Sequence, residues 1–503
     1  MDVDTSSYNK LDQPINKKGK KIKSHKSDFF SKKIAIGLIF AITFIAFIFV
    51  YFLNEKTNKN KISLEKNEKD EENKLSNTEG ESEINYSFKA TYKIYNEIRE
   101  IELIHSLKPE DIKEMIVDGI KVTPSNKFKF DKKGAHTVYF LLDESNLDSL
   151  SHMFDQIINL ESISFSEKFN SEKITKMDYM FRSCKSLAKV DFSKFNTKNV
   201  QTMDFMFYGC NAITSLDLSN FSNDNLISMK RMFFHCSSLQ QLNLKNFKTP
   251  KVEDMSYAFA NCNNIKTLDL SSFDTSNVKN MRGMFERCKS LFYVNILSFK
   301  TEKVEDMAYM FNKCYSLISV DSDRLYAPNA RSMISMFYKC EALTSLDLSK
   351  LNGGKVTEID NMLEGCNSLS YINFSNFKAP NLNKMDYLFF FCSSLTSIDL
   401  TNFKTDATTS MTGMFQGCNR LKAVDLSSFN TESVETMVDM FNGCSSLKKI
   451  DISNFNIQNV KFMQRIFDNC PSLTEGEIKI NKNSLNKLER MVPKDIHLGV
   501  IDE

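Results

Sequence analysis

The side chains best equipped for chemistry in this chain are its twelve cysteines: Cys184, Cys210, Cys236, Cys262, Cys288, Cys314, Cys340, Cys366, Cys392, Cys418, Cys444 and Cys470, each 26 residues from the next. A metal site needs clustered ligands, such as a C-x-x-C pair. Here no two cysteines are closer than 26 residues, and of six histidines only His235 falls among the regular repeats. No metal and no cofactor is expected. Disulfides between successive repeats need Cα atoms within about 4.4–6.8 Å, but each cysteine has the same neighbours above and below, so nothing selects pairs. The remaining role is a packed, unpaired thiol. Ile157 occupies the same column, which marks it as a place for a compact apolar group, and free cysteine behaves as a small buried hydrophobe. Burial would also shield the thiols from an oxidising exterior.

Methionine recurs in two columns, Met203, Met229, Met255, Met281, Met307, Met333 and Met206, Met232, Met284, Met310, Met336. A thioether stripe can hold a soft metal or a promiscuous partner, yet the spacing is that of core filling. The phenylalanine columns read the same way, as rings stacked in the core. The carboxylates differ. Seven residues after each of the first eleven cysteines stand Asp191, Asp217, Asn243, Asp269, Asn295, Asp321, Asp347, Asn373, Asp399, Asp425 and Asp451. They sit between inward leucines and so point outward, where carboxylates stacked at strand spacing repel. One Asp per repeat is too little for calcium, which takes six to eight oxygens. Two readings stay open. One is a hydrogen-bonded element of the local turn. The other is a partner-binding strand face formed by Asp191, Asp217, Asp269, Asp347, Asp399 and Asp425 with the nearby Tyr293 and Tyr371, aromatics being favoured in protein contacts.

These columns need a scaffold that repeats every 26 residues, and such a period marks a solenoid. Counting from each cysteine, leucine or a relative recurs at offsets three, six and eight, as in Leu239, Leu242 and Leu244 after Cys236. That is a short strand with one buried face. Phenylalanine follows at offset eleven, as at Phe195, and threonine often at thirteen, as at Thr197, Thr275, Thr301, Thr405 and Thr431. Val200, Met203, Met206, Phe207 and Cys210 then step by three, three, one and three, the apolar face of a short helix. The threonines would cap its N-terminus. Gly209, Gly365, Gly417, Gly443, Asn261 and Asn469 would end it in the left-handed conformation.

The expected fold is therefore an α/β solenoid, a leucine-rich repeat horseshoe of about 13 coils built from strand, turn and short helix, in which stacked coils share one core. Helices being wider than strands, the strand side should be concave. The first coil spans 27 residues and has Ile157 at the cysteine position, as expected of an atypical terminal repeat.

Met281 to Val304 (MRGMFERCKSLFYVNILSFKTEKV) and Met411 to Val434 (MTGMFQGCNRLKAVDLSSFNTESV) share the form MxxMFxxCxSLxxLDLSxFxTxxV. Over residues 151–480 the chain resembles the BspA-like leucine-rich repeat surface proteins, in the version with 26-residue repeats. The resemblance implies a leucine-rich repeat fold, surface display, and adhesion to or recognition of proteins or matrix. It brings no catalytic motif.

Residues 1–33 are polar and lysine-rich and read as a disordered basic cytoplasmic tail. Ile34 to Leu53 is twenty residues without a charge, about 30 Å as a helix, the thickness of a bilayer core. No small-x-small cleavage site follows, so 34–53 reads as a transmembrane signal anchor. Six lysines precede it and four follow within fifteen residues, which favours a cytoplasmic N-terminus and an external C-terminus. Residues 54–83 read as a disordered charged stalk.

Residues 84–150 read as a small β-rich domain. It should hold a strand over Tyr86 to Tyr95, a helix over Pro109 to Val117 opened by Pro109, strands over Lys127 to Phe130 and His136 to Leu142, and turns at Asp118-Gly119 and Lys133-Gly134. The solenoid occupies 151–480. Residues 481–503 form a C-terminal cap and tail, with a closing helix in Asn483 to Met491.

A net charge of +2 implies no bulk electrostatic partner, and no nucleic acid is expected. Asn85, Asn220 and Asn373 head N-x-S sequons and are candidate glycosylation sites. No nucleophile elbow, phosphate-cradling loop or metal-ligand cluster is present, so no enzyme is expected. The expected function is that of a membrane-anchored protein of the plasma membrane or cell surface. Its repeats would mediate adhesion or recognition of a protein, glycan or matrix ligand. The alternatives are a self-associating coat or spacer and, with inverted topology, a membrane-tethered cytosolic scaffold, which reduced thiols would suit.

Overall fold

A computed structural model describes residues 84–95, 99–473, 478–490, 492, 496 and 498–501. The basic tail, the span Ile34 to Leu53 and the stalk lie outside the described residues. Among the described residues no helix is long and apolar enough to cross a membrane.

The strands β1 (Phe88–Ile94), β2 (Arg99–Glu102), β3 (Ile112–Val117), β4 (Ile120–Val122), β5 (Lys127–Phe130) and β6 (Gly134–Leu142) precede the coils. Along β1 the residues Phe88, Ala90, Tyr92 and Ile94 alternate into the core, and the strand pairs antiparallel with β6. Asp118 and Gly119 both have positive φ, 48° and 81°, as a tight hairpin between β3 and β4 requires. The helix expected over 109–117 is not formed. Pro109–Asp111 makes a single 3-10 turn and Ile112 opens β3. The β-branched Ile112, Ile116 and Val117 suit a strand, and β6 offers an edge for them to pair with.

The first coil contributes β7 (Leu160–Phe165) and the second β8 (Lys189–Asp191). Strand β1 pairs antiparallel with β7, and β7 pairs parallel with β8. One six-stranded sheet, β4-β3-β6-β1-β7-β8, thus runs from the N-terminal module into the solenoid. It covers the edge that the first coil would otherwise expose to other chains. Phe88 sits at the join, its ring 4.9 Å from Phe140 and 5.5 Å from Phe154.

Twelve parallel bridges, from Ser149–Lys176 to Thr436–Phe462, link each coil to the next. The first step is 27 residues and the rest are 26. Strand rungs pair in the same register, as Leu216 with Leu242 and Leu346 with Ile372. Inside, the rows are continuous. The rings from Phe154 through Phe181, Phe207, Phe233, Phe259, Phe285, Phe311 and Phe337 stack at 5.2–5.8 Å. Leu363 interrupts the row, and Phe389 to Phe467 resume it. Both methionine columns are fully buried.

The helix expected in every coil is absent. Met203–Met206 and Phe207–Cys210 instead make two successive turns closed by Met206 N to Met203 O (3.3 Å) and Cys210 N to Phe207 O (3.1 Å). The third residue of each, Phe205 and Gly209, is left-handed, φ 56° and 71°, as in a type II turn. The amides between them reach the next coil: Phe205 N bonds Lys230 O, Phe207 N bonds Met232 O and Gly209 N bonds Phe234 O, at 2.8–2.9 Å. The reason is spacing. Coils whose rings stack at 5.2–5.8 Å leave no room for neighbouring helices, whose axes need 8–10 Å. Without helices, the width difference that would have made the strand side concave is gone as well. The architecture is a repeat solenoid of strands and turns.

Threonine at offset thirteen therefore caps no helix. It is buried and spans two coils: Thr275 Oγ1 donates to Lys300 O and accepts from Lys300 N, both at 2.8 Å. At the far end Ile478–Asn481 and Leu498–Ile501 add two strands beside Ile450–Asp451. Between them lies α1 (Lys482–Leu488), where Asn481 Oδ1 accepts from Ser484 N.

Candidate functional site

All twelve cysteines are buried and unpaired. Each Sγ–H donates to a backbone carbonyl of the preceding coil at 2.9–3.2 Å, as Cys236 to Phe207 O and Cys392 to Leu363 O. Burial pushes these thiols far up, to about 12 at Cys236, Cys288, Cys366 and Cys418, so none is a nucleophile at neutral pH. Among the described residues no group of three His, Cys, Asp or Glu is arranged to hold a metal ion.

The outer side of the turn leg engages its own polar and aromatic groups. His152, Tyr179 and Phe205 stack at 4.6 and 4.7 Å. The Arg231 guanidinium lies 5.1–5.6 Å from the centroids of Phe205, Phe234 and Tyr257. Arg182 grips Asp155 with two bonds, and Arg465 grips Asp439 in the same way. Burial, with Asp386 alongside, pushes the Asp360 carboxyl up to about 6. From the sequence come the inward residues of this leg and its Gly and Asn C-caps, but no functional residue on its outer side. Its signal was Tyr179, Phe205, Arg231, Tyr257, Tyr309 and Tyr387 falling in one register.

On the strand leg the aspartate column is exposed, and its first job is local. Oδ1 accepts from the backbone N–H two residues on at Asp191, Asp217, Asp269, Asp347, Asp399 and Asp425, at 2.8–3.0 Å. These are side-chain-closed turns. Interleaved asparagines relieve the stacked charge: Asn295 Nδ2 donates to Asp269 and Asn373 Nδ2 to Asp347. At Asp425 the bonds from Ser427 hold the carboxyl below its usual range. At Asp347 burial opposes, but bonds from Ser349 and Asn373 prevail and lower it.

The structure brings Tyr293 beside Asp269 and Asp321, and Tyr371 beside Asp347. Burial, then these carboxylates, raise both phenols. Asp399 and Asp425 are direct cross-strand neighbours. Of the sequon residues, Asn85 is exposed. Asn220 Nδ2 bonds the Phe192 and Phe195 carbonyls, and Asn373 Nδ2 is held by Asp347.

One coil departs from this pattern. After Cys314 the offset-eight leucine is replaced by Ser322, the phenylalanine by Leu325 and the threonine by Ala327. Ser322–Arg324 turns into a 3-10 helix. Asp321 precedes it without closing a side-chain bond. Neither Asp321 nor the exposed Asp323 has a hydrogen-bond or ion-pair partner among the described residues. The exposed large apolar side chains of the strand leg gather around this coil: Leu297 (51%), Ile318 (51%), Tyr326 (44%) and Tyr371 (46%). The sequence reading missed the break, although three core columns change together there.

A family model described as "Mycoplasma protein of unknown function, DUF285" matches residues 138–242, 227–345, 331–424 and 383–497. Together these matches run across more than half of the 503 residues. The chain belongs to this family. No curated protein matches the DUF285 chain.

Among solved structures it is similar to a chain of the TLR13–ssRNA13 complex, at 17% identity over 70% of this chain and 52% of that one, TM-score 0.24. It thus spans about half the length of that relative. It is also similar to the functional domain of InlJ from Listeria monocytogenes, described as including a cysteine ladder, at 13% identity, 67% and 69% coverage, TM-score 0.20. A third is a leucine-rich repeat protein from Eubacterium ventriosum, at 13% identity, 63% and 91% coverage, TM-score 0.23. Scores this low do not establish a shared overall shape.

Proposed function

We propose that this DUF285 chain is a membrane-anchored surface protein whose repeat ectodomain recognises or adheres to a macromolecular partner through its strand face. The observation that carries the reading is the strand leg around Cys314. Exposed apolar side chains and partner-free carboxylates meet there on a rigid ladder, a composition suited to protein contact. The uncharged stretch Ile34 to Leu53 and the resemblance to BspA-like surface proteins supply the anchor and the surface. Protease shaving of intact cells, read with an antibody to the C-terminus, tests the topology. Loss of the signal is expected, and full protection contradicts it. Unpaired thiols in all twelve positions favour one second reading, a membrane-tethered scaffold facing the cytosol, which the protected outcome would support.

A further inference from the structure

Resting on that recognition role, we propose that the partner presents an extended cationic polypeptide segment, and that the Cys314 coil is the centre of its docking site. Charge is the first argument. In the five coils opening at Cys288, Cys314, Cys340, Cys366 and Cys392, offsets four to nine hold Asp321, Asp323, Asp347 and Asp399 and no Lys or Arg. Lysines close the stretch on both sides, Lys266 in the coil before and Lys422 in the coil after. The chain as a whole is nearly neutral, so these offsets are locally acidic, with Arg324 and Lys350 following at offset ten. This acidity favours basic partners and rejects acidic ones.

The second argument is what the carboxylates are doing. In the regular coils one oxygen is committed to the turn. At Asp321 and Asp323 neither oxygen is, and Arg324, the next residue, pairs with neither. The third argument is the apolar surface. Leu297, Ile318, Tyr326 and Tyr371 are exposed on the Cys314 coil and on coils one or two steps away, and such side chains accommodate the methylene stems and guanidinium planes of Lys and Arg.

Spacing sets the partner's form. Asp269 and Asp321, like Asp347 and Asp399, are two coils apart, about 10 Å at strand spacing. Three residues of an extended chain cover about 10 Å. A segment lying across the strands with basic residues three positions apart therefore meets Asp269 together with Asp321, or Asp347 together with Asp399, while Asp321 and Asp347, one coil apart, stand about 5 Å from each other.

The test uses the full chain in detergent micelles and a fluorescent dodecapeptide with arginine at every third position. Binding is expected, weakening with salt. Asp321→Asn with Asp323→Asn should reduce affinity roughly tenfold. Glu100→Gln with Asp131→Asn, the same charge change on exposed residues outside the strand face, should leave affinity unchanged.

An absence of binding, or equal losses from the two double variants, overturns the proposal. So does concentration-dependent self-association through Asp321 and Asp323 that the peptide fails to compete, which makes a second copy the occupant. If the peptide fails but Leu297→Ala with Tyr371→Ala still abolishes adhesion of the chain, the cationic class is wrong and the strand-face role stands.

Discussion

On the turn leg, Arg231 lies among Phe205, Phe234 and Tyr257, and Arg465 holds Asp439 through two bonds. On the strand leg, Asp321 closes no turn bond, although it stands beside Tyr293, and Leu297 and Ile318 stand half out of the fold. Both legs come from one repeat, so the contrast is not one of architecture. A group already bonded within the ladder must break that bond to serve a ligand, whereas a free carboxylate beside exposed apolar surface gives up only water. The difference teaches where to look in such a solenoid: at the coil whose columns break step, rather than at the columns that recur.

The comparison can be strained from several sides. The largest effect expected is alkaline unfolding. Folded thiol pKa values near 12 at Cys236, Cys288, Cys366 and Cys418 lie above the unfolded value of about 8.5. The unfolded chain therefore releases protons first. Stability is fully present below about pH 8.5 and falls by roughly 1.4 kcal/mol per pH unit for each thiol until the folded pKa is reached. Circular dichroism against pH reads this. Cys366→Ala should cost stability at pH 7, and the gap should close as pH rises; a constant gap would mean the thiols are not buried in protonated form.

Next comes the core row. Phe311→Ala, which removes a ring stacked on Phe285 and Phe337, should cost about 3–5 kcal/mol in urea unfolding; under 1 kcal/mol would deny the row its role. Thr275→Val removes two inter-coil bonds from a buried site and should cost about 1–3 kcal/mol. The smallest effects separate the strand-leg aspartates. Asp217→Ala loses a turn closure and should cost about 1 kcal/mol. Asp321→Ala should cost under about 0.5 kcal/mol in the same urea unfolding. Equal costs would remove the distinction between bonded and free carboxylates.

Much of this was legible in the chain. The 26-residue ruler, the buried cysteine, methionine and phenylalanine columns, the outward aspartates and the 27-residue first coil all follow from periodicity, because one residue per coil must meet its equivalent above and below. The helix did not follow. Met203, Met206, Phe207 and Cys210 carry helical spacing, but two tandem turns place the same residues inward, and the left-handed positions are filled by Phe205, Arg231 and Tyr257, residues that give no glycine signal. Pro109 likewise announced a helix that pairing with β6 overruled. The outward aspartates are legible as a column, while Asp321 and Asp323 stand out only because their coil leaves the column pattern.

The most direct test is alkylation of the full chain under non-reducing, native conditions, followed by mass spectrometry before and after adding denaturant. Interlocked coils with sealed interiors predict negligible labelling at first and twelve labels after unfolding. Ready labelling of the native chain, or fewer than twelve labels in denaturant because bridges had formed, would contradict the account.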